Sequence, residues 1–357
     1  MLVLVSLVSG QTMPNYFGIK HYNPDKCIFL YTKNSKKQME WLKKSFDVKT
    51  EEKEIIPYDY DDIQNKCKEI IDNHKNDELI LNYTCGTKIM SIASFEIFLM
   101  KRLKTFYVDS ENQRILEQYQ NENIVKDLSL NISVNDYVRV YGNKVKELGS
   151  INPELESLGD YILTNFKKLS DYLLKAAKES NRIKTNTYEN KGIQIKGNNK
   201  IVYLKLLEDT FTICAPYIEV FSFIKGGWLE YVVYKKLLNA NLFDDIKLNV
   251  KIDWENDSNR KESNFKNEID IFCTLKGVAY FFECKSGGVS QDVIYRYKAL
   301  KEFLGGTYSK VVFVTFFPVS SEQKEKLKDF GFELCNINYF DDFIKIFEEK
   351  IKPNPNL

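Results

Sequence analysis

The chain has 357 residues, of which 43% are apolar and 28% charged, enough for two ordinary globular domains, each with its own core. Lys and Arg total 51 against 50 Asp and Glu, so the charge balance excludes a uniformly basic nucleic-acid scaffold, and any basic surface must be local. No apolar run approaches the roughly 20 residues of a membrane span, which sets the expectation of a soluble, cytoplasmic protein with no membrane partner.

The opening MLVLVSLVSG lacks a basic leading segment and runs into turn residues without a cleavage site, so it reads as a first β-strand. Further β-rich runs follow in KCIFLYT, ELILNYT and TFYVDS, with helical periodicity near residues 35–45, 61–74 and 88–103. That alternation predicts a parallel sheet flanked by helices through about residue 145. Two loops fall where such sheets bind ligands, beyond the carboxyl ends of strands. They are Ser9-Gly10-Gln11-Thr12-Met13-Pro14-Asn15 and Asn82-Tyr83-Thr84-Cys85-Gly86-Thr87-Lys88. Small residues let the backbone approach a ligand, helix N-termini favour anions, and Thr and Lys add donors. A phosphate site and an ordinary strand-to-helix turn with a capping threonine explain these loops equally well. Neither a Walker loop nor a G-x-G-x-x-G fingerprint is present.

Leu155, Leu158, Tyr161, Ile162, Phe166, Leu169, Leu173 and Leu174 have helical spacing just after Gly149 and Ser150, which predicts a helical connector over residues 151–184. Between residues 186 and 205, NTYENKGIQIKGNNKIVYL reads as a small hairpin turning at Asn198-Asn199. A second α/β unit begins with the helix around GGWLEYVVYKKLLNA and ends beyond the strand KVVFVTFF. The seven cysteines form no C-x-x-C pair and read as reduced core thiols. His21 and His74 lie far from this unit in sequence, so histidine-based chemistry there is poorly supported.

The stretch NEIDIFCTLKGVAYFFECKSG, residues 267–287, places three acids and two lysines in an apolar hairpin, one lysine at its turn. Lys276-Gly277 is its one turn signal, and an even-length loop centred there sets Asp270 opposite Glu283 and Glu268 opposite Lys285, all on one sheet face. Opposed residues have Cβ atoms about 5 Å apart, so two facing carboxylates repel unless a cation lies between them. A divalent metal, magnesium or manganese, suits hard oxygen ligands and supplies an attacking water, with Lys285 to orient it or to stabilise phosphate charge. The tripeptide alone carries little, because Glu-x-Lys recurs at Glu51 and Lys53 and at Glu189 and Lys191. A structural charge pair remains the competing explanation. Downstream, Ser290 caps a helix with Val293, Ile294, Tyr297, Leu300 and Leu304 on its buried stripe and Gly305-Gly306 at its end. Its other face carries Arg296, Lys298 and Lys301, read either as a solvated surface or as phosphate contacts.

Asp270 followed by Glu283-Cys284-Lys285 resembles the PD-(D/E)xK restriction-endonuclease-like nucleases, with Ile269 where the family name has proline. In such nucleases a helix acid often completes the metal shell, which points to Glu230 after Gly226-Gly227. A first-turn glutamate favoured by the helix dipole accounts for that residue equally. N-x-T-x-G-T-K-x-M after a strand is similar to the loop of the CRISPR-associated Rossmann fold (CARF) domain, in which the first glycine stands where this chain has Cys85. If that position needs positive φ, the loop is reshaped.

Together the motifs resemble the CARF-nuclease effectors of type III CRISPR defence. The resemblance implies an α/β fold with an N-terminal Rossmann-like CARF domain (1–148), a helical connector with a small hairpin (149–210) and a C-terminal restriction-endonuclease-like α/β domain (211–357). It further implies a homodimer that binds a cyclic oligoadenylate, most often cyclic tetra-adenylate, through Gln11, Thr12, Asn15, Thr84, Gly86, Thr87 and Lys88. Its activity would be metal-dependent cleavage of DNA, RNA or both. The implied catalytic set is Asp270, Glu283, Lys285, Glu230 and Glu268, with Asp270, Glu283 and Glu230 on the metal. A catalytically silent CARF regulator that binds nucleic acid is the alternative.

Overall fold

The computed structural model describes residues 1–110, 112–120, 122–128, 130–178, 186–254 and 268–351. Asn267 of the charged hairpin, the end of the expected connector and residues 352–357 lie outside this set. The first unit runs β1 (Leu2–Leu7), α1 (Met13–Tyr22), β2 (Lys26–Tyr31), α2 (Lys36–Ser45), β3 (Lys49–Glu54), α3 (Tyr60–Asn73), β4 (Glu78–Asn82), α4 (Lys88–Met100), β5 (Lys104–Asp109), β6 (Arg114–Tyr119), β7 (Glu122–Asp127) and α5 (Val134–Val140). Its seven strands lie in the order β3-β2-β1-β4-β5-β6-β7. β1, β2 and β4 are apolar on both faces because helices cover both sides of this parallel core. β3, KTEEKE, reads as neither strand nor helix in the sequence, yet it forms a parallel edge. Its charges are paired, Lys26 with Glu51 at 2.6 Å and Lys53 with Glu69 at 2.8 Å, and a charged edge deters further strand pairing.

The chain then forms β8 (Lys144–Leu148), the long helix α6 (Pro153–Lys178) with non-helical backbone at Asn165, and β9 (Thr187–Glu189), β10 (Ile193–Gly197), β11 (Val202–Leu206) and β12 (Asp209–Ile213). The expected hairpin is therefore the centre of a four-stranded antiparallel sheet. Its turn is set by Asn198, whose side-chain oxygen accepts from the backbone N–H groups of Lys200 and Ile201.

The last unit contains α7 (Tyr217–Ser222), α8 (Trp228–Ala240), β13 (Asp245–Asp253), β14 (Glu268–Leu275), β15 (Val278–Lys285), α9 (Gln291–Phe303), β16 (Ser309–Thr315), α10 (Ser321–Asp329), β17 (Glu333–Asn336) and α11 (Phe340–Ile351). Its sheet has the order β17-β16-β15-β14-β13-β8. β8, which precedes the connector, thus pairs with β13 of this later sheet.

Each unit has a core of its own, around Val5, Ile28 and Leu81 in the first and around Trp228, Phe282 and Val314 in the last, but the two are not separate. One apolar cluster joins Phe17, Tyr137 and Val140 of the first unit to Phe272, Phe281 and Phe313 of the last. Gly277 at the hairpin turn lies so close to the Phe17 ring that a Cβ there would stand 1.9 Å from Cζ. Tyr137 donates its hydroxyl to Tyr308 O at 2.7 Å, and Thr274 donates to Ile132 O at 2.5 Å. Both are buried bonds across the junction, where an unmet polar group would be costly.

Candidate active site

Lys276 and Gly277 have φ of 49° and 78°. Positive φ at both central residues defines a type I′ turn, whose twist matches that of the strands it joins. The turn sets a register from Leu275–Val278 to Ile271–Phe282, and the next pair in that register is Asp270 with Glu283, as the sequence predicts. β15 is a central strand, flanked by β14 and β16, so the acids end up inside the molecule. Glu283 is 0% exposed and Asp270 9%.

Lys285 Nζ lies 2.5 Å from Glu283 Oε1 and 4.0 Å from Asp270 Oδ2. Asp270 Oδ2 also accepts from the Cys284 N–H at 2.8 Å. From α9, Arg296 Nη2 donates to both oxygens of Glu283, at 3.0 and 3.1 Å. The sequence reading left Arg296 with Lys298 and Lys301 on an outer face; instead it closes over the buried acid. Lys298 stacks on Phe330 and Lys301 reaches the Phe330 carbonyl, both away from the acids.

Glu230 reaches the cluster from α8, on the opposite face of the sheet from α9. The helix does not start at Gly226-Gly227. α7 continues through a π-helical turn, Phe223–Gly227, directly into α8. π-turns gather at functional sites because they re-aim a side chain without ending the helix. This one sits against the loop after Lys285, with Ser286 Oγ donating to Lys225 O at 3.1 Å, and a Cβ at Gly226 would come within 2.6 Å of Ser286 Oγ. Helical backbone ahead of Glu230 removes the free helix start on which the dipole explanation rested.

The electrostatics are those of crowded acids. Burial, reinforced by the charges of Glu283 and Glu230 and only partly opposed by Lys285 and the Cys284 N–H, holds the Asp270 carboxyl well above its ordinary range. Burial likewise pushes Glu230 up to about 7; Lys285 opposes this, and Glu283 and Glu268 add to it. Burial alone would lower the Lys285 ammonium, but Glu283 and Asp270 outweigh it and raise it. Glu268 is half-buried at the start of β14.

Among the described residues no group of three or more His, Cys, Asp or Glu side chains is arranged as a ready metal cage. The expected set of Asp270, Glu283 and Glu230 is not gathered in that way here, because Glu283 turns its oxygens to Arg296 and Lys285. The donor chemistry nonetheless fits a hard divalent cation, since the acids offer oxygen only and repel one another when charged. Tyr297 is fully buried beside these acids, and burial, with the charges of Glu283 and Asp270, holds its hydroxyl well above the ordinary range.

The two loops of the first unit are built differently. Thr12 Oγ1 donates to Val140 O at 2.9 Å, and Asn15 Nδ2 donates to Ser6 Oγ and Leu7 O, both at 2.8 Å; neither side chain is exposed. Thr84 donates to Asn82 Oδ1 and accepts from the Val108 N–H. Thr87 caps α4, accepting from the Met90 N–H and donating to Pro57 O. Gln11 accepts from Tyr141 OH at 3.2 Å, and Lys88 is exposed at the start of α4. Cys85 does not adopt positive φ; Gly86 does, at 91°. The cysteine therefore leaves the turn intact, and its buried thiol instead joins the loops, reaching Gln11 O at 3.4 Å and Asn15 Oδ1 at 3.5 Å.

A Rossmann-like sheet with two strand-end loops, packed on a sheet whose hairpin carries an acid, an acid and a lysine, defines the class of a ligand-sensing domain joined to a nuclease-type domain. Residues 3–137 match the family model of the Card1 CARF domain, and residues 218–350 match that of the Card1-like endonuclease domain. Together the two spans cover most of the chain, as a CARF domain followed by a Card1-like endonuclease domain. Among solved structures, Can2 from Sulfobacillus thermosulfidooxidans in complex with cyclic tetra-adenylate is similar at TM-score 0.75 and 22% identity, over 99% of this chain and 100% of that one. The protein VC1899 from Vibrio cholerae is similar at TM-score 0.77 and 18% identity, over 99% and 98%. A type III CRISPR defence DNA nuclease activated by cyclic oligoadenylate is similar at TM-score 0.56 and 18% identity, over 88% of this chain and 45% of that longer one. No curated protein sequence matches the chain.

Proposed function

We propose that this protein is an endonuclease switched on by a cyclic oligoadenylate, cutting DNA, RNA or both by metal-dependent phosphodiester hydrolysis in type III CRISPR defence. The observation that carries the reading is the buried meeting of Asp270, Glu283 and Lys285 inside a Card1-like endonuclease domain. Asp270, Glu283 and Glu230 would hold magnesium or manganese. When bound, such a cation lowers the pKa of a water and neutralises charge on the scissile phosphate. Lys285, held by Glu283, is placed to orient that water or to bind a phosphate oxygen. Burial of the acids keeps bulk water from screening these interactions.

Cyclic tetra-adenylate is the ligand we assign to the CARF loops, in keeping with the complex formed by Can2. Gly10, Gln11, Gly86 and Lys88 are its nearest contacts in this proposal, because Thr12, Asn15, Thr84 and Thr87 spend their donors within the protein. A homodimer is supported by α4, which begins at Lys88 and leaves Ile92 56%, Leu99 45% and Met100 70% exposed. Ile92 and Leu99 are seven residues apart, two turns along one face. A second copy would cover this apolar face and set two ligand loops around one two-fold ring. Among the described residues no helix is long and apolar enough to cross a membrane.

The test is cleavage of labelled DNA and RNA with manganese, with and without cyclic tetra-adenylate, by the wild type and Asp270→Asn. Ligand-dependent cutting that drops about 10²-fold or more in the variant is expected. Ligand binding without cutting of either substrate would instead support a silent CARF regulator.

A further inference from the structure

Resting on that reading, a second feature of the site concerns what Glu283 does before a cation arrives. Its carboxylate is wholly buried and each oxygen is already engaged, Oε1 by Lys285 and Arg296 and Oε2 by Arg296. Lys285 is part of the expected catalytic set. Arg296 is not, and it comes from a separate element, α9. A buried carboxylate stripped of its partners is costly, so a counter-charge must stand beside Glu283 whenever no cation does. A divalent cation and a guanidinium cannot both lie against the same carboxylate without repelling each other.

We propose that Arg296 is a positioning residue that occupies the cation's place on Glu283, so that cation entry requires Arg296 to swing away. α9 gives this exchange a mechanical link to the CARF domain. Beyond its last residue, Tyr137 donates to Leu304 O and Tyr308 O, there is no room for a side chain at Gly305, and Gly306 lies against the end of the Gln11 side chain. A Cβ at Gly305 would stand 2.0 Å from the Tyr137 hydroxyl, and one at Gly306 would stand 2.7 Å from Gln11 Nε2. Gln11 belongs to the first ligand loop and is bonded to Tyr141, whose ring packs on Tyr137. A ligand that draws Gln11 or Tyr137 toward itself therefore pulls on the end of the helix that carries Arg296. Differential contact with the two states is what such coupling requires.

The experiment is calorimetric titration of Mn2+ into the full-length wild type, Asp270→Asn, Arg296→Gln and Arg296→Lys, each with and without cyclic tetra-adenylate. Arg296→Gln is expected to bind Mn2+ about tenfold or more tightly than the ligand-free wild type, the value of one charge-assisted hydrogen bond. The ring should tighten Mn2+ binding in the wild type and have little effect in Arg296→Gln. Arg296→Lys keeps the charge and should stay near wild-type affinity, which provides a folded comparison if Arg296→Gln is unstable without metal. A purely structural Arg296 would not raise Mn2+ affinity when removed. Equal or weaker binding in Arg296→Gln, with binding still abolished in Asp270→Asn, overturns this inference and leaves the metal site standing. Absence of Mn2+ uptake by every variant overturns both.

Discussion

The CARF loops and the hairpin end are both polar sites built at strand ends, but they treat their polar groups in opposite ways. In the loops, Thr12, Asn15, Thr84 and Thr87 are satisfied inside the protein, which leaves backbone, Gln11 and Lys88 for the ligand contacts we propose. At the hairpin, burial forces Asp270, Glu283, Glu230, Lys285 and Arg296 together, and two of the acids are held above their ordinary pKa. The difference separates a scaffold that holds a loop's shape from a site that stores electrostatic strain, which the proposed cation would relieve. A satisfied polar group costs stability when removed, whereas a strained one yields stability when neutralised.

That contrast can be broken most visibly at Glu230. Its folded pKa of about 7 lies above the ordinary 4.5, so the folded state binds the extra proton between those values. Glu230 should therefore make stability fall as pH rises from about 4.5 to 7, and Glu230→Gln should remove that share of the decline while the share due to the raised Asp270 remains. Melting curves at pH 8 should show the variant more stable by up to about 3 kcal/mol without metal, with the gap closing toward pH 4.5. A variant less stable at pH 8 would break the comparison. Next comes Asn15→Ala, which strips the donors from Ser6 Oγ and Leu7 O. Urea unfolding should show a loss of about 1–3 kcal/mol, and unchanged stability would mean that the loop's internal bonds carry little. The smallest effect on the fold is expected from Lys88→Ala, within about 0.5 kcal/mol. The same change should weaken cyclic tetra-adenylate binding about tenfold, with reduced salt dependence. If binding were unaffected, the exposed lysine would not be part of the ligand site.

Much of this was legible in the sequence. Lys276-Gly277 specifies a two-residue hairpin turn, and a turn of known type sets the register, so the meeting of Asp270 with Glu283 follows from local chemistry. The continuous apolar runs of β1, β2 and β4 mark strands covered on both faces. What stayed hidden depends on distant pairing or on an exception to local propensity. β3 is a strand only because β2 offers it an edge, and β8 crosses to the later sheet because β13 is there to receive it. Gly226-Gly227 reads as a helix boundary by the usual breaker rule, yet it lies in a π-turn packed against Ser286. Arg296 sits one position from Tyr297 on the buried stripe, and helical spacing alone assigns it outward. Only the arrival of Glu283 beneath α9 turns it in.

The central claim is that Asp270 and Glu283 together grip a divalent cation. Crystals of the full chain grown with manganese, measured at an energy where the metal scatters anomalously, address it most directly. The account predicts an anomalous peak within ligand distance of both carboxylates, absent in Asp270→Asn crystals. A wild-type peak located elsewhere, or none beside these acids, would contradict it.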